Sequence, residues 1–492
     1  MNRAVPGGLE ASSPFDLAIV GAGWAGLAAA VVACAAGKRI VLVDAAPQAG
    51  GRARRQSLDL GFGPIDLDNG QHLLIGAYRQ TLELAQRIGL SAEQLFNRQR
   101  LLLRDTQGLH LAAPHLPAPA HLVWALLAAR GFPWSDRRAV VRMISGLRRD
   151  AWQVTAGETV STLLDRMSQP STVRTRLWER LCISALNTPS RQACAQTFAS
   201  VLRDSLGSAR ANSDFLIPRA TLSDCLPDPA LRWLSRQGAV IRLRTPIRTL
   251  VPDPGRASSW QLHHPGGSIA ARGVILACNV SNSLRLLERI GSSDTPPIVD
   301  DVSLAGRGTP GRPQVGRSEL RRTLRALSSF SFHSIATLWV SWPASHQPAI
   351  GPPLMLHREA GGDRQADWLF DRGVWSGHRV GAWVISLADE LKPALDPERA
   401  IDHARELCRT YGFVAPVAAR LIIEKRATFA CVPGRAGVAH EAAGRQAGLW
   451  LAGDYTEAHY PATLESAVRS GMRAGQIAAD GLDAYSQAIA IA

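Results

Sequence analysis

Residues 15–44 read "FDLAIVGAGWAGLAAAVVACAAGKRIVLVD" and restrict the fold more than any other stretch of the chain. A short apolar run, 15–20, leads into glycines at 21, 23 and 26. An uncharged stretch, 27–37, has the length of a buried helix, and a second apolar run, 39–44, ends in Asp44. Strand, glycine turn, helix and strand follow within about thirty residues, the size of a βαβ unit. G-x-G-x-x-G is weak by itself. Here it follows a strand, opens a helix and precedes an acid at the end of the next strand, which together make a dinucleotide-binding fingerprint. The glycines let the backbone approach a pyrophosphate, whose charge rests on the helix N-terminus. Gly21, Ala22, Gly23, Trp24, Ala25 and Gly26 are therefore expected at the cofactor, with Asp44 accepting a hydrogen bond from a ribose hydroxyl.

Part of the same stretch, 17–37, imitates a membrane span, being uncharged and long enough to cross a bilayer. The glycines behind a short β-branched run, with no basic segment leading in, favour a buried strand plus a buried helix. Residues 1–14 are expected to be a flexible tail. The chain has 492 residues, too many for one core, and is 46% apolar, enough for large cores. Lys and Arg number 55 against 41 Asp and Glu, a net charge of +14. Such a charge attracts nucleic acid, an anionic membrane or an anionic substrate. The arginines are scattered and no nucleic-acid motif is present, so nucleic acid is not expected as a partner. Seven Cys without a C-x-x-C pair imply reduced thiols in a cytosolic protein and no metal site.

Further along, 78–205 has helical periodicity broken by prolines at 114–119. "SDRRAVVRMISGLRRDAW" (135–152) is amphipathic and basic on one face, and reads either as a membrane-surface helix or as an ordinary solvated face. Strands are expected within 238–250, 272–278, 334–342, 381–388 and 447–454. A helix is expected over 461–482, with Pro461 in its first turn. Residues 291–316, rich in Gly, Pro, Ser and Asp, suggest a flexible surface insertion.

"AGGRARR" (49–55) is not part of a plain NAD fingerprint. Its Gly50, Gly51 and Arg52 resemble the extension found in the FAD-dependent amine oxidase and phytoene desaturase superfamily. The resemblance implies that Arg52 helps to hold the pyrophosphate and that Ile247 contacts adenine. It also implies a last strand ending in Gly453 and Asp454, then a helix whose N-terminus, with Ala462, Thr463 and Leu464, points at the flavin ring. The implied architecture is α/β. A Rossmann-like FAD-binding domain is assembled from 15–80, 210–285 and 420–485, and a mixed α+β substrate domain from 81–209 and 286–419.

"DNGQHLLIGAY" (68–78), "ALNTP" (185–189), "VLRDSLG" (201–207), "WLFDRG" (368–373) and "PATLESAVRSG" (461–471) together resemble the bacterial hydroxysqualene dehydroxylases, also described as squalene-associated FAD-dependent desaturases of hopanoid biosynthesis. That resemblance implies FAD-dependent reduction of hydroxysqualene to squalene with loss of water. It implies a hydrophobic isoprenoid substrate and an enzyme in the cytoplasm at the inner face of the membrane, in contact with squalene-forming enzymes. A carotenoid-type polyene desaturase, a flavin amine oxidase and a flavin-binding scaffold are the competing readings. One departure is Ser466, where Gly is common in the family. The polar cluster in 65–78 is expected to pass the flavin, with Gly70 and Gln71 as cofactor wall. Asp68, His72, His459 and Tyr460 are the candidate general acids, and His72 serves either to move a proton or to hold a shape.

Overall fold

Seven strands form the sheet on which the glycine turn sits. The structure, a computed structural model, describes residues 14–491 apart from 254–258, 292–297, 300–314, 357–365, 392–394 and 443–447. Phe15–Val20 lies between Ile40–Val43 and Gly267–Leu276, parallel to both, with Val20 opposite Val43 and Leu276. Val240–Arg242 adds in parallel beyond Ile40–Val43, and Leu449–Leu451 pairs in parallel with Gly267–Leu276. Trp260–His264 and Thr249–Pro252 complete the sheet as antiparallel strands. Parallel strands buried on both faces need continuous apolar sequence, and "LAIV", "IVLV" and "VILA" supply it.

The first helix begins at Trp24, inside the fingerprint, rather than at residue 27, and ends at Ala35. All ten residues from Trp24 to Ala33 are buried, so the helix is apolar all round and needs cover on both sides. The sheet covers one side. The other is covered by the chain's last helix, Leu464–Ile491, where Gly471 and Gly475 meet it. A Cβ on Gly471 would lie 2.1 Å from the Ala25 carbonyl oxygen, so the two backbones touch only because that position has no side chain. Leu464–Ile491 starts three residues after Pro461. Thr463 Oγ1 accepts the Ser466 N–H at 3.2 Å, and Ser466 Oγ donates to the Pro461 carbonyl at 2.7 Å. The buried Ser466 hydroxyl thus closes the turn that enters the helix.

A second sheet is antiparallel throughout, in the order Leu354–Met355, Trp368–Trp375, His378–Ser386, Phe332–Pro343, Ala418–Phe429. Alternation along Phe332–Pro343 gives it two faces. Ala336, Leu338 and Val340 pack with Ala404, Leu407 and Cys408 of helix Ala400–Tyr411. Ile335 and Thr337 look the other way, as do Ser386 and Val384 opposite them, and all four line a cavity. The domain division expected at 420 falls inside strand Ala418–Phe429, all of which belongs to this second sheet.

Helices of 78–205 line the same cavity. The sequence of that segment reads as mostly helical with a proline-rich break at 114–119, and Phe96–Gln99, Leu102–Arg104 and His110–Ala112 interrupt the helices as strands ahead of that break. Phe96–Gln99 pairs with Phe215–Pro218, more than a hundred positions away, and local periodicity does not report such a partner. Among the described residues no helix is long and apolar enough to cross a membrane, and no cluster could hold a metal ion. All seven Cys are free thiols. Residues 1–13, and most of the insertion expected at 291–316, lie outside the described residues.

Candidate active site

A cavity of about 1140 Å³ runs from the glycine turn to the second sheet and on between the helices of 78–205. Ligand pockets commonly measure roughly 300–1,000 Å³, so this one has room for more than a single small molecule. At one end Gly21, Gly23, Trp24, Ala25, Asp44 and Ile247 line it. Gly21 has φ +116°, and a Cβ there would lie 2.5 Å from the Ala277 carbonyl oxygen. Asp44 is held at the cavity edge by two backbone donors, Ala22 N–H to Oδ2 at 2.6 Å and Ala46 N–H to Oδ1 at 2.7 Å. Each oxygen keeps a lone pair for a hydroxyl. Ala22 and Gly26, expected at the cofactor, do not line the cavity. Gly26 sits behind the turn, where a Cβ would lie 1.8 Å from the Gly21 carbonyl oxygen. Its role is to let helix and turn close on each other.

The segment 49–53 folds over the turn. Gly50 N–H donates to the Ala22 carbonyl at 2.9 Å, and Trp24 Nε1 to that of Ala53 at 3.1 Å. From here Arg52 reaches across to the far end of the chain. Its guanidinium meets Asp454 Oδ2 at 2.7 Å and the Ala427 carbonyl at 2.9 Å, and Asp454 keeps it firmly charged. Gly50, Gly51, Arg52, Gly453 and Asp454 line the same cavity, as do Ala462, Thr463 and Leu464. The first turn of Leu464–Ile491 therefore opens onto it, and the first N–H groups of a helix have no partner within that helix.

Gly70, Gln71 and His72 also line the cavity, as expected of a cofactor wall. Gln71 N–H donates to Thr337 Oγ1 at 3.2 Å and its Nε2 to the His72 carbonyl at 2.8 Å. Gln71 Oε1 is buried without a hydrogen-bond partner among the described residues. A buried acceptor of this kind calls for a donor, and a ring N–H of a bound flavin would supply one. This orphaned oxygen, the bare backbone at Gly21 and the doubly held Asp44 fit FAD.

The candidate acids separate. Asp68 is corrected: it does not line the cavity, being 3% exposed and turned away to accept the Leu222 N–H at 2.7 Å. Burial raises its carboxyl to about 6, with Arg372 opposing the shift. Asp68 therefore anchors the chain at Leu222. His459 is exposed on the surface and also falls outside the cavity. His72 lines the cavity but lacks a proton to give. Its Nδ1 lies 2.7 Å from the Gly70 carbonyl, which only accepts, so Nδ1 carries the hydrogen. Burial, then the nearby Arg52 charge, lower its pKa, so Nε2 is a bare lone pair at neutral pH. His72 holds the Gly70–His72 loop and can accept a hydrogen bond.

Tyr460 remains. Its phenol donates to Asp204 Oδ2 in a short hydrogen bond and accepts from Arg203 Nη2 at 3.2 Å, while Arg203 Nε donates to Asp204 Oδ1 at 2.7 Å. The Arg469 guanidinium stacks 4.0 Å from the Tyr460 ring centroid. Burial, with the Asp204 hydrogen bond and charge, raises the phenol's pKa. Tyr460 and Asp204 both line the cavity. Asp204 belongs to helix Ala195–Leu206, whose Phe198, Val201 and Leu202 line the apolar part. The pair thus joins the segment entering Leu464–Ile491 to the apolar arm.

Sequence reasoning missed Asp204 as a site residue, although "VLRDSLG" stood out as a motif. It also missed Asn69 and Asn187. Asn69 ties 52–54 to the cofactor wall, with Nδ2 donating to the Arg52 carbonyl at 2.8 Å and Oδ1 accepting the Arg54 N–H at 3.1 Å. Asn187, left-handed at φ 45°, ends helix Glu179–Leu186 and binds Thr428 Oγ1 at 2.9 Å and the Leu387 N–H at 2.9 Å. The signal available for both was an Asn beside a turn.

Residues 24–478 match the family of flavin containing amine oxidoreductases, and the chain belongs to that family. It is an FAD-dependent oxidoreductase. Among curated proteins it is similar to the hydroxysqualene dehydroxylase of Zymomonas mobilis, 27% identical over 484 residues, covering 94% of this chain and 98% of that protein. The hydroxysqualene dehydroxylase of Rhodopseudomonas palustris is likewise 27% identical, over 93% of this chain and 97% of its own. Among solved structures, cyclohexylamine oxidase from Brevibacterium oxydans superposes with a TM-score of 0.64 at 17% identity, covering 96% of this chain and all of that one. At that identity the superposition establishes the fold.

Proposed function

We propose that this enzyme reduces hydroxysqualene to squalene, releasing the hydroxyl as water. The observation that carries the reading is the continuity of the cavity. The part that fits FAD passes without a break into an arm lined by side chains such as Leu103, Leu126, Ile144, Leu181 and Phe198. A long hydrocarbon chain belongs in such an arm. The two full-length relatives carrying the hydroxysqualene dehydroxylase name support the reading. The reduced flavin, when bound, supplies a hydride to the allylic carbon. The balance is then one hydride to carbon, one proton to the departing hydroxyl, and water and hydrocarbon as products.

The residues of the chain supply the rest. Apolar walls exclude water and align the chain. Tyr460, whose phenol stays protonated and which lines the cavity with Asp204, gives the proton to the hydroxyl by turning its O–H from Asp204 to the substrate. The phenolate left behind lies beside the Arg203 and Arg469 guanidiniums and regains a proton from water after product leaves. His72 Nε2 accepts a hydrogen bond and holds the wall. Anaerobic incubation with hydroxysqualene and chemically reduced enzyme, followed by product analysis, tests the reaction. Squalene at one equivalent per reduced flavin is expected, and unchanged substrate overturns the reading. Formation of a conjugated polyene by oxidised enzyme from squalene would instead favour a desaturase.

A further inference from the structure

Ten large apolar side chains are exposed among the described residues, and six of them fall within 116–141: Leu116, Val123, Trp124, Leu127, Trp134 and Val141. They sit on two helices, Ala120–Leu127 and Trp134–Arg149, and on the segments next to them. Within Ala120–Leu127 the inner positions are His121 and Ala125, both buried. Leu122 and Leu126 face the cavity, and Val123, Trp124 and Leu127 face outward. The helix is therefore apolar on its solvent side as well, which a soluble surface does not require. The two helices are fixed to each other. Arg137 donates to the Leu127 carbonyl at 2.5 Å and to that of Phe132 at 2.9 Å, and its guanidinium stacks 4.8 Å from the Trp134 ring centroid.

Val123 and Val141, 51% and 46% exposed, also line the cavity. Side chains on both surfaces mark an opening, so the apolar arm reaches the exterior between these two helices. The segment that carries that opening is positively charged. Residues 115–150 contain six Arg (130, 137, 138, 142, 148 and 149) and two acids. Of the acids, Asp136 is buried and Asp150 is paired with Arg149 at 3.3 Å. Exposed apolar residues that include two Trp, interspersed with Arg, are the composition of a surface that rests in a lipid interface.

We propose that the face made by Ala120–Leu127 and the N-terminal half of Trp134–Arg149 docks on an anionic bilayer, placing the cavity mouth against the lipid so that the substrate passes into the apolar arm without crossing water. The inference rests on the isoprenoid reading for its substrate, but the docking itself is independent of turnover.

The test is co-sedimentation with vesicles of phosphatidylcholine alone and of phosphatidylcholine with phosphatidylglycerol, at low and high salt. Wild-type enzyme, W124Q/L127Q and R138E/R142E are compared; all four residues are exposed, and none lines the cavity. Equal flavin absorbance and melting temperature serve as the folding control. Wild type should bind the anionic vesicles and weaken in high salt, and each variant should partition about tenfold less or worse. Turnover of detergent-dispersed substrate should be unchanged in both variants, while turnover of vesicle-borne substrate falls. Failure of wild type to bind, or equal binding by the variants, overturns the proposal. So does a wild-type dimer that W124Q/L127Q converts to monomer without any vesicle binding, since the face would then belong to a second copy. Vesicle binding without hydroxysqualene turnover leaves the docking standing and removes the substrate reading.

Discussion

Tyr460 directs its proton to Asp204, and Arg203 donates back to both. Phenylalanine at 460 keeps the ring against Arg469 and deletes only the hydroxyl. Tyr460→Phe should lower turnover by about a hundredfold or more with flavin absorbance intact, as expected for loss of a general acid. Rates near wild type would take the pair out of the mechanism. His72→Ala should cost less than about tenfold, because a ring with lowered pKa and a committed Nδ1–H holds shape rather than delivering a proton. Asp68 makes a prediction about pH. Its carboxyl titrates near 3.8 in the unfolded chain and at about 6 when folded. Between those values the folded state binds more protons than the unfolded one, so this group's contribution to stability declines as pH rises. The melting temperature of wild type relative to Asp68→Asn should therefore fall from pH 4 through pH 6 and level off above, whatever constant offset the substitution adds. A flat difference would mean that Asp68 titrates normally.

The contact between helices Trp24–Ala35 and Leu464–Ile491 is a close backbone approach that supports the cofactor site. Gly471→Val would press a branched side chain into the Ala25 carbonyl, and overpacking of this kind costs about 1–3 kcal/mol. Flavin retention should fall with melting temperature, because Thr463 and Leu464 shift with the helix. Gly437→Ala, at a glycine with open space around it, should change neither. A Gly471→Val enzyme that melts and binds flavin like wild type would refute this account. The elements most legible in the sequence were those with local causes. "FDLAIV", "IVLV" and the glycine turn were readable because burial on both faces and a tight turn each demand particular residues in sequence. The helix start was placed three residues late because Gly26 resembled part of the turn, whereas its missing Cβ serves packing inside the helix. Asp204 was invisible as a site residue because its partner is 256 positions away, and no short-range pattern encodes that bond. Asp68 misled for the opposite reason. It sits in a polar run that does line the cavity, yet its carboxylate turns to Leu222 while Gly70, Gln71 and His72 face inward.

Across the molecule, one cavity is walled by both sheets and by helices of 78–205, so its two ends are tuned separately. Ile144 lines the apolar arm near its mouth. Ile144→Trp should narrow the arm and raise KM for hydroxysqualene while sparing a short isoprenoid allylic alcohol and the flavin spectrum. Equal losses for both substrates would show that the long chain lies elsewhere. The cofactor end is built from the two extremes of the described chain: the glycine turn and Arg52 come early, while Asp454, Thr463 and the helix that covers Trp24–Ala35 come late. Synthesis runs from the N-terminus, and early segments fold as they emerge. The first βαβ unit must therefore wait, its apolar helix uncovered on one side, until Gly471 and Gly475 have left the ribosome. Flavin loading is in consequence expected to follow synthesis of Leu464–Ile491, and until then helix Trp24–Ala35 keeps one apolar side without its native cover.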